Sequence, residues 1–311
     1  MEIATRVGAF AVSGALLLRL CCSSLPQKFA ALMTDPAVLR MVLFIETGRR
    51  LPDPPPVTAH EAESAVPVLK TPLNFSEADA KLVTLHSTAI ADADIPALLT
   101  QPLSWDLYKT EPAVLILHTH TSESYTFSGG YQEEGAYRTL DKEYNMLRVG
   151  QALKERLEQA GICVIHDQVY HDYPSYNGAY AHARTSLEDY LEQYPSIRLV
   201  IDLHRDAISD SSGNQLAYTC DNAAQLMLVI GTNHENWTEN MALAVKLQAR
   251  LSQLQPGICR PMVLRGQRFN QDLLPGMLLI EVGAAGNTLD QALAAVDPLS
   301  HAIIDLAEGT N

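Results

Sequence analysis

Apolar residues fall along this chain in two alternating textures. Short unbroken runs, AVLILHT (113–119), ICVIHD (162–167), IRLVIDLH (197–204), AQLMLVIGT (224–232) and MLLIEVG (277–283), read as buried strands. Between them lie stretches with apolar positions three and four apart. Residues 142–160 place Met146, Val149, Leu153 and Leu157 on one helical face, and Gly161 follows as a stop signal. Residues 178–194, 235–254 and 288–307 carry the same period and predict three more helices. Strands alternating with helices imply an α/β fold, a single three-layer domain with a largely parallel sheet flanked by helices.

The texture differs before residue 106. Arg6 precedes VGAFAVSGALLL, an apolar run that stops at Arg19. It has the pattern of a secretory signal or short membrane anchor, although it is shorter than the roughly 20 residues that span a bilayer comfortably. No A-x-A cleavage site stands out, and Leu20 before Cys21 makes a poor lipobox. A second apolar stretch, AVLRMVLFIETGRR (37–50), suits a membrane surface or an ordinary amphipathic helix. LPDPPPVTAHEAESAVPV, from residue 51, is rich in Pro and Ala and reads as a spacer. The predicted organisation is a signal or anchor at 1–20, a membrane-proximal segment and linker at 21–105, and the α/β domain at 106–311.

Charge narrows the partners. A formal net charge of −14 leaves no basic surplus to offset phosphate repulsion, so nucleic acid is excluded. The five cysteines include no CxxC pair, which excludes a cysteine zinc ribbon.

The candidate chemistry sits where strands stop. In open α/β sheets, ligands bind outside the carboxyl ends of strands. His118 and His120 end the first strand, His204 ends IRLVIDLH, and Glu281 lies near the end of MLLIEVG. Histidine, glutamate and histidine suit a catalytic zinc, which takes three protein ligands and keeps a fourth position open. His120 and Glu123 are spaced to share one ion, and His204 would come from another strand. Glu281 is the candidate general base and acid. Two alternatives stay open. His118 and His120 would face the same way in an extended strand, so either can be the ligand. Glu143 can replace Glu123 as the carboxylate. Arg205 and Asp206 are candidates to orient His204 or hold a substrate carboxylate, or else form an exposed salt bridge, and Asp202, which alternates with His204, is a candidate supporting partner for it. Asn270, Gln271 and Asp272 either line a groove or cap a turn. Ser122 and Ser124 lack the G-x-S-x-G elbow of a serine hydrolase.

HTHTSESY, IDLHRDA and LLIEVGAAGNTLDQA, in this order, resemble the stage II sporulation protein P family of endospore-forming bacteria. RTLDKEYNMLRVGQAL, YPSYNGAY and FNQDLLPGMLLIEVG extend the resemblance over roughly residues 110–308, and the N-terminal apolar segment with FIETGRR fits the family layout. The resemblance implies a zinc amidase/carboxypeptidase-like domain that hydrolyses peptidoglycan. The bond would be the amide between N-acetylmuramic acid and the stem peptide, with peptide cross-links as further targets. It implies Zn2+ as cofactor, with His118, His120, Glu123 and His204 in the metal-binding motifs and Glu281 catalytic. It also implies action during forespore engulfment beside a lytic transglycosylase, stage II sporulation protein D. The place would be the extracytoplasmic face of the membrane, between mother cell and forespore, anchored or secreted. Competing readings are a zinc carboxypeptidase or endopeptidase acting on peptides, and a non-catalytic wall-binding module.

Overall fold

The computed structural model describes residues 73–87, 93–103, 105–126 and 137–309, all within one compact unit, Leu69–Asn311. The apolar leader, Cys21, Cys22, the segment 37–50 and the glycines at 129, 130 and 135 lie outside the described residues. No helix among the described residues is long and apolar enough to cross a membrane.

Nine strands are described: β1 (Leu85–Ser87), β2 (Val114–Leu117), β3 (Val164–His166), β4 (Leu199–Asp206), β5 (Thr219–Cys220), β6 (Ala223–Ala224), β7 (Leu226–Gly231), β8 (Met262–Arg265) and β9 (Met277–Ala284). The helices are α1 (Ile95–Thr100), α2 (Met146–Gln159), α3 (Ala179–Gln193), α4 (Trp237–Leu254) and α5 (Leu289–Glu308). Seven strands form one sheet in the order β1-β8-β7-β9-β4-β2-β3, and β5 and β6 form a separate hairpin. Every pairing in the large sheet is parallel except β7 with β9. The reversal has a simple origin. Parallel neighbours need a long crossover connection, but the link from β8 to β9 carries only a 3₁₀ turn, Gln271–Leu273.

Alternation along the strands defines two faces. Val114, Ile116, Leu199, Ile201, Leu203, Leu278 and Ile280 pack with α2, α4 and α5. Leu115, Leu117, Val200 and Met277 pack with Ala183 and Leu187 of α3. The sheet is thus the middle of three layers, and its strands are buried on both sides, as their continuous apolar runs require.

Helix ends follow local chemistry. Asn145 caps α2, its side chain accepting from Leu147 N. The sequence predicts this helix from 142, but Lys142–Tyr144 form a turn and Asn145 sets the start. Thr288 and Gln291 form a capping box at α5.

The stretch 73–103 differs most from the sequence reading, which places it in a linker. It forms a 3₁₀ helix at Glu77–Leu82, the edge strand β1 and α1. Thr84 N donates to the Gln248 side chain, and buried Lys246 of α4 donates to the carbonyls of Leu98 and Leu99. These elements are too short for a period to show in sequence. Strand β8 is hidden for the same reason.

Candidate active site

Strands β2, β4 and β9 run side by side and parallel, so their carboxyl ends share one edge. On β4, Ile201 and Leu203 face α2. Asp202 and His204 alternate with them and so point toward the α3 face, as Val200 does. In register with His204 on β9 is Glu281. Sheet pairing alone therefore brings these two residues together.

The two histidines of the first motif separate. Strand β2 ends at Leu117 and residues 119–122 turn, so the same-face expectation for His118 and His120 does not hold. His118 continues the alternation of Val114 and Ile116 toward α2. Its Nδ1 lies 3.1 Å from Leu203 O and its Nε2 lies 2.9 Å from His166 Nε2. A carbonyl can only accept, so His118 carries its proton on Nδ1 and its Nε2 accepts from His166 Nε2–H. Burial, reinforced by the neighbouring His166, lowers His118 to about 3. His166 is lowered by burial to about 4. Gly150 on α2 permits this pair. A Cβ there would stand 2.5 Å from His118 Nε2 and 2.6 Å from His166 Nε2.

After the turn, His120 joins the other group. Its ring is 5.4 Å from that of His204, nearly perpendicular, and it stacks on Tyr176 at 4.4 Å. Glu123 Oε2 is 3.6 Å from His204 Nδ1 and accepts from Arg205 N at 3.2 Å. Thus His120, Glu123, His204 and Glu281 gather on one side of the sheet, and His118 lies on the other. Glu143 is exposed on the turn before α2.

Supporting residues fix the cluster. Asp202 Oδ1 lies 3.0 Å from His204 Nε2, a charge contact without the alignment of a hydrogen bond. Asp202 also accepts from Thr119 N and Oγ1, which pins the turn carrying His120. Buried Arg205 donates to Ser124 O and Tyr137 O and stands 3.5 Å from Glu123 Oε1. Asp206 instead pairs with Arg260 at 2.8 Å. Ser122 donates to Asp172, which also takes Arg138 at 3.0 Å. Arg138 lies over the Tyr176 ring at 4.2 Å.

The electrostatics follow. Burial would lower His204, but Asp202 and Glu123 outweigh it and hold the imidazole well above its ordinary value. Burial would raise Glu123, but Arg205, His204 and His120 draw it down to about 2. Glu281 goes the other way. Burial pushes it up to about 8, with Glu123 adding to the rise and His204 opposing it.

Three buried atoms in the cluster have no hydrogen-bond partner among the described residues: His120 Nδ1, His204 Nε2 and Glu281 Oε2. Buried polar atoms are normally paired, so three unpaired ones in one place call for an explanation. Imidazole nitrogens with a carboxylate form a donor set suited to a transition metal. Among the described residues no three His, Cys, Asp or Glu side chains stand at ligand spacing. The set therefore fits a metal in its chemistry and its unmatched atoms, while His204 and Glu123 contact each other.

The polar loop before β9 is mainly structural. Gln271 is fully buried, accepting from Gly231 N and donating to Val229 O, and so replaces a backbone rung on β7. Asp272 pairs with Arg184 at 3.0 Å. Asn270 donates to Tyr180 O at 2.9 Å. Phe269 and Asn270 both have left-handed backbones, φ 51° and 57°. For non-glycine residues this costs of order 1–3 kcal/mol each, and such strain clusters near functional sites. Sequence reasoning does not single out Tyr176, Tyr180, Arg138 or Asp172. The motifs RTLDKEYN and YPSYNGAY contain three of them, but nothing in their spacing points to the cluster.

A sequence profile described as Stage II sporulation protein P matches residues 55–304. A curated relative, Stage II sporulation protein P of Bacillus subtilis (strain 168), is 27% identical over 215 residues, 64% of this chain and 52% of the relative. The chain thus spans about half the length of the curated relative it matches. Two solved structures overlay on the chain with low scores. N-acetylmuramoyl-L-alanine amidase AmiC2 of Nostoc punctiforme does so with a TM-score of 0.38 at 14% identity, covering 63% of this chain and 94% of that one. The catalytic domain of CwlV, an N-acetylmuramoyl-L-alanine amidase from Bacillus (Paenibacillus) polymyxa var. colistinus, has a TM-score of 0.39 at 14% identity, covering 62% and 95%. With the profile match extending over most of its length, the chain belongs to the stage II sporulation protein P family.

Proposed function

We propose that this protein is a zinc-dependent peptidoglycan hydrolase that cleaves the amide between N-acetylmuramic acid and the stem peptide during forespore engulfment. The observation that carries the reading is the convergence of His120, Glu123, His204 and Glu281 near the carboxyl ends of adjacent strands, with three buried atoms lacking a hydrogen bond among the described residues. Family membership supports the sporulation context, and peptidoglycan as substrate is what the family resemblance implies. On this reading the protein works at the extracytoplasmic face of the membrane, beside the lytic transglycosylase stage II sporulation protein D.

His120, Glu123 and His204 would hold the zinc, and Asp202 orients His204. Bound zinc supplies a Lewis acid that activates water near neutral pH. Glu281 takes a proton from the attacking water as its oxygen bonds to the amide carbon. It returns that proton to the nitrogen as the carbon–nitrogen bond breaks, so the products are a carboxylic acid and an amine. A half-buried carboxyl raised to about 8 by desolvation suits both halves of that transfer. Arg205 balances the charge of Glu123.

The test is digestion of purified peptidoglycan by the full chain, with zinc and with chelator, and identification of products by mass. The expected products are intact stem peptides freed from the glycan, lost on chelation. Opened cross-links without free stems would favour the endopeptidase reading. Absence of any cleavage by zinc-loaded protein would overturn the proposal.

A further inference from the structure

Tyr180 packs against both histidines that the cluster brings together, the third ring of a triangle with His120 and His204. It lies in the first turn of α3, after Gly178, whose left-handed backbone (φ 95°) opens the helix. Its ring meets His120 edge-on at 5.6 Å and lies nearly parallel to His204 at 6.4 Å. Phe269 packs on it at 5.7 Å, and Asn270 holds its backbone carbonyl. The side chain is therefore fixed from three sides, two of them candidate metal ligands and the third a strained loop.

The hydroxyl is not used by this packing. Among the described residues it has no hydrogen-bond partner, although the residue is half-buried. A tyrosine needed only as an apolar wedge could be phenylalanine. Tyr170 shows the contrast, since its hydroxyl donates to Leu140 O and accepts from Asn145 Nδ2.

We propose that Tyr180 is a further catalytic residue, whose hydroxyl donates a hydrogen bond to the carbonyl oxygen of the scissile amide as negative charge develops there. The inference rests on the hydrolase reading above. Tyr180 keeps its proton throughout. Water supplies the oxygen that bonds to carbon, Glu281 carries the proton to the leaving nitrogen, and the carbonyl oxygen gains and then loses charge against the phenol. Removing one such donor typically lowers kcat by about 10²–10³-fold where the donor is well placed.

The test is Tyr180→Phe, which retains the ring and its contacts with His120, His204 and Phe269. Cleavage of purified peptidoglycan is followed with zinc content and thermal midpoint measured on the same samples. Muropeptide affinity is measured separately in a Glu281→Gln background, with and without Tyr180→Phe. The expected result is a kcat lowered roughly 10-fold or more, with zinc content, thermal midpoint and muropeptide Kd unchanged. Wild-type turnover in Tyr180→Phe would overturn the inference and leave the hydrolase reading standing. Loss of zinc or of thermal stability in Tyr180→Phe would overturn it too, assigning the residue to support. Wild-type protein that cleaves nothing would overturn the hydrolase reading and this inference together.

Discussion

The two histidines of HTH end on opposite sides of one sheet, and their surroundings differ in kind. On the α2 side, His118 has both ring nitrogens engaged, one with Leu203 O and one with His166, and Gly150 closes over the pair. On the α3 side, His120 Nδ1, His204 Nε2 and Glu281 Oε2 are buried and lack a hydrogen bond among the described residues, His204 Nε2 having only its charge contact with Asp202. Burial is similar, so burial does not separate structural from chemical histidines. Unmatched polar atoms gathered in one place do, because each is tolerated only where something else compensates. The His118–His166 pair also leaves one nitrogen, His166 Nδ1, without a partner among the described residues. It is a single atom, where the α3 side gathers three.

The largest effect should follow from changes on the α3 side. Glu281→Gln is expected to lower peptidoglycan turnover by about 10²–10⁴-fold, as for loss of a general acid–base group. Zinc content and unfolding midpoint should stay at wild-type values, which metal analysis and denaturation check. His204→Ala should lose zinc and turnover together. If Glu281→Gln kept wild-type turnover, Glu281 would not be the acid–base group and the chemistry assigned to the α3 side would fall.

A change on the α2 side should act on stability instead. Gly150→Ala places a methyl within 2.6 Å of both imidazoles. Overpacking of this sort costs about 1–3 kcal/mol. A lower urea midpoint is expected, with activity per folded molecule retained. Lost activity in a normally stable Gly150→Ala protein would tie the two faces together and dissolve the contrast.

The smallest effect is in pH dependence. His166 is held down to about 4 in the fold, against about 6.5 in an unfolded chain. Between these values the unfolded chain binds more protons. This contribution is therefore fully present above about pH 6.5 and is lost as pH falls toward 4, with a slope of at most about 1.4 kcal/mol per pH unit for one group. His166→Gln keeps a donor toward His118 but does not titrate. It should flatten the stability–pH curve in that window, as urea titrations across pH would show. An unchanged slope would mean that other groups dominate.

Much of this is legible in sequence. The long periodic helices and the apolar strands near 114, 199, 226 and 277 lie within a few residues of where the pattern places them. Glu281 and His204 can be paired because each lies near the carboxyl end of a buried strand. Three things are not legible. The turn at 119–122 breaks the strand alternation, and a period-2 argument cannot see where a strand stops. Short elements such as β1, α1 and β8 carry too few residues for a period. Tyr180 reaches the cluster from the start of a helix more than fifty residues beyond His120, and only tertiary packing puts it there.

The most direct test of the two-face account is zinc stoichiometry in His120→Ala and His118→Asn, where asparagine can still donate to Leu203 O. Measured on purified, folded protein, zinc should be lost from His120→Ala and retained at wild-type stoichiometry in His118→Asn. Zinc retained in His120→Ala and lost from His118→Asn would contradict it.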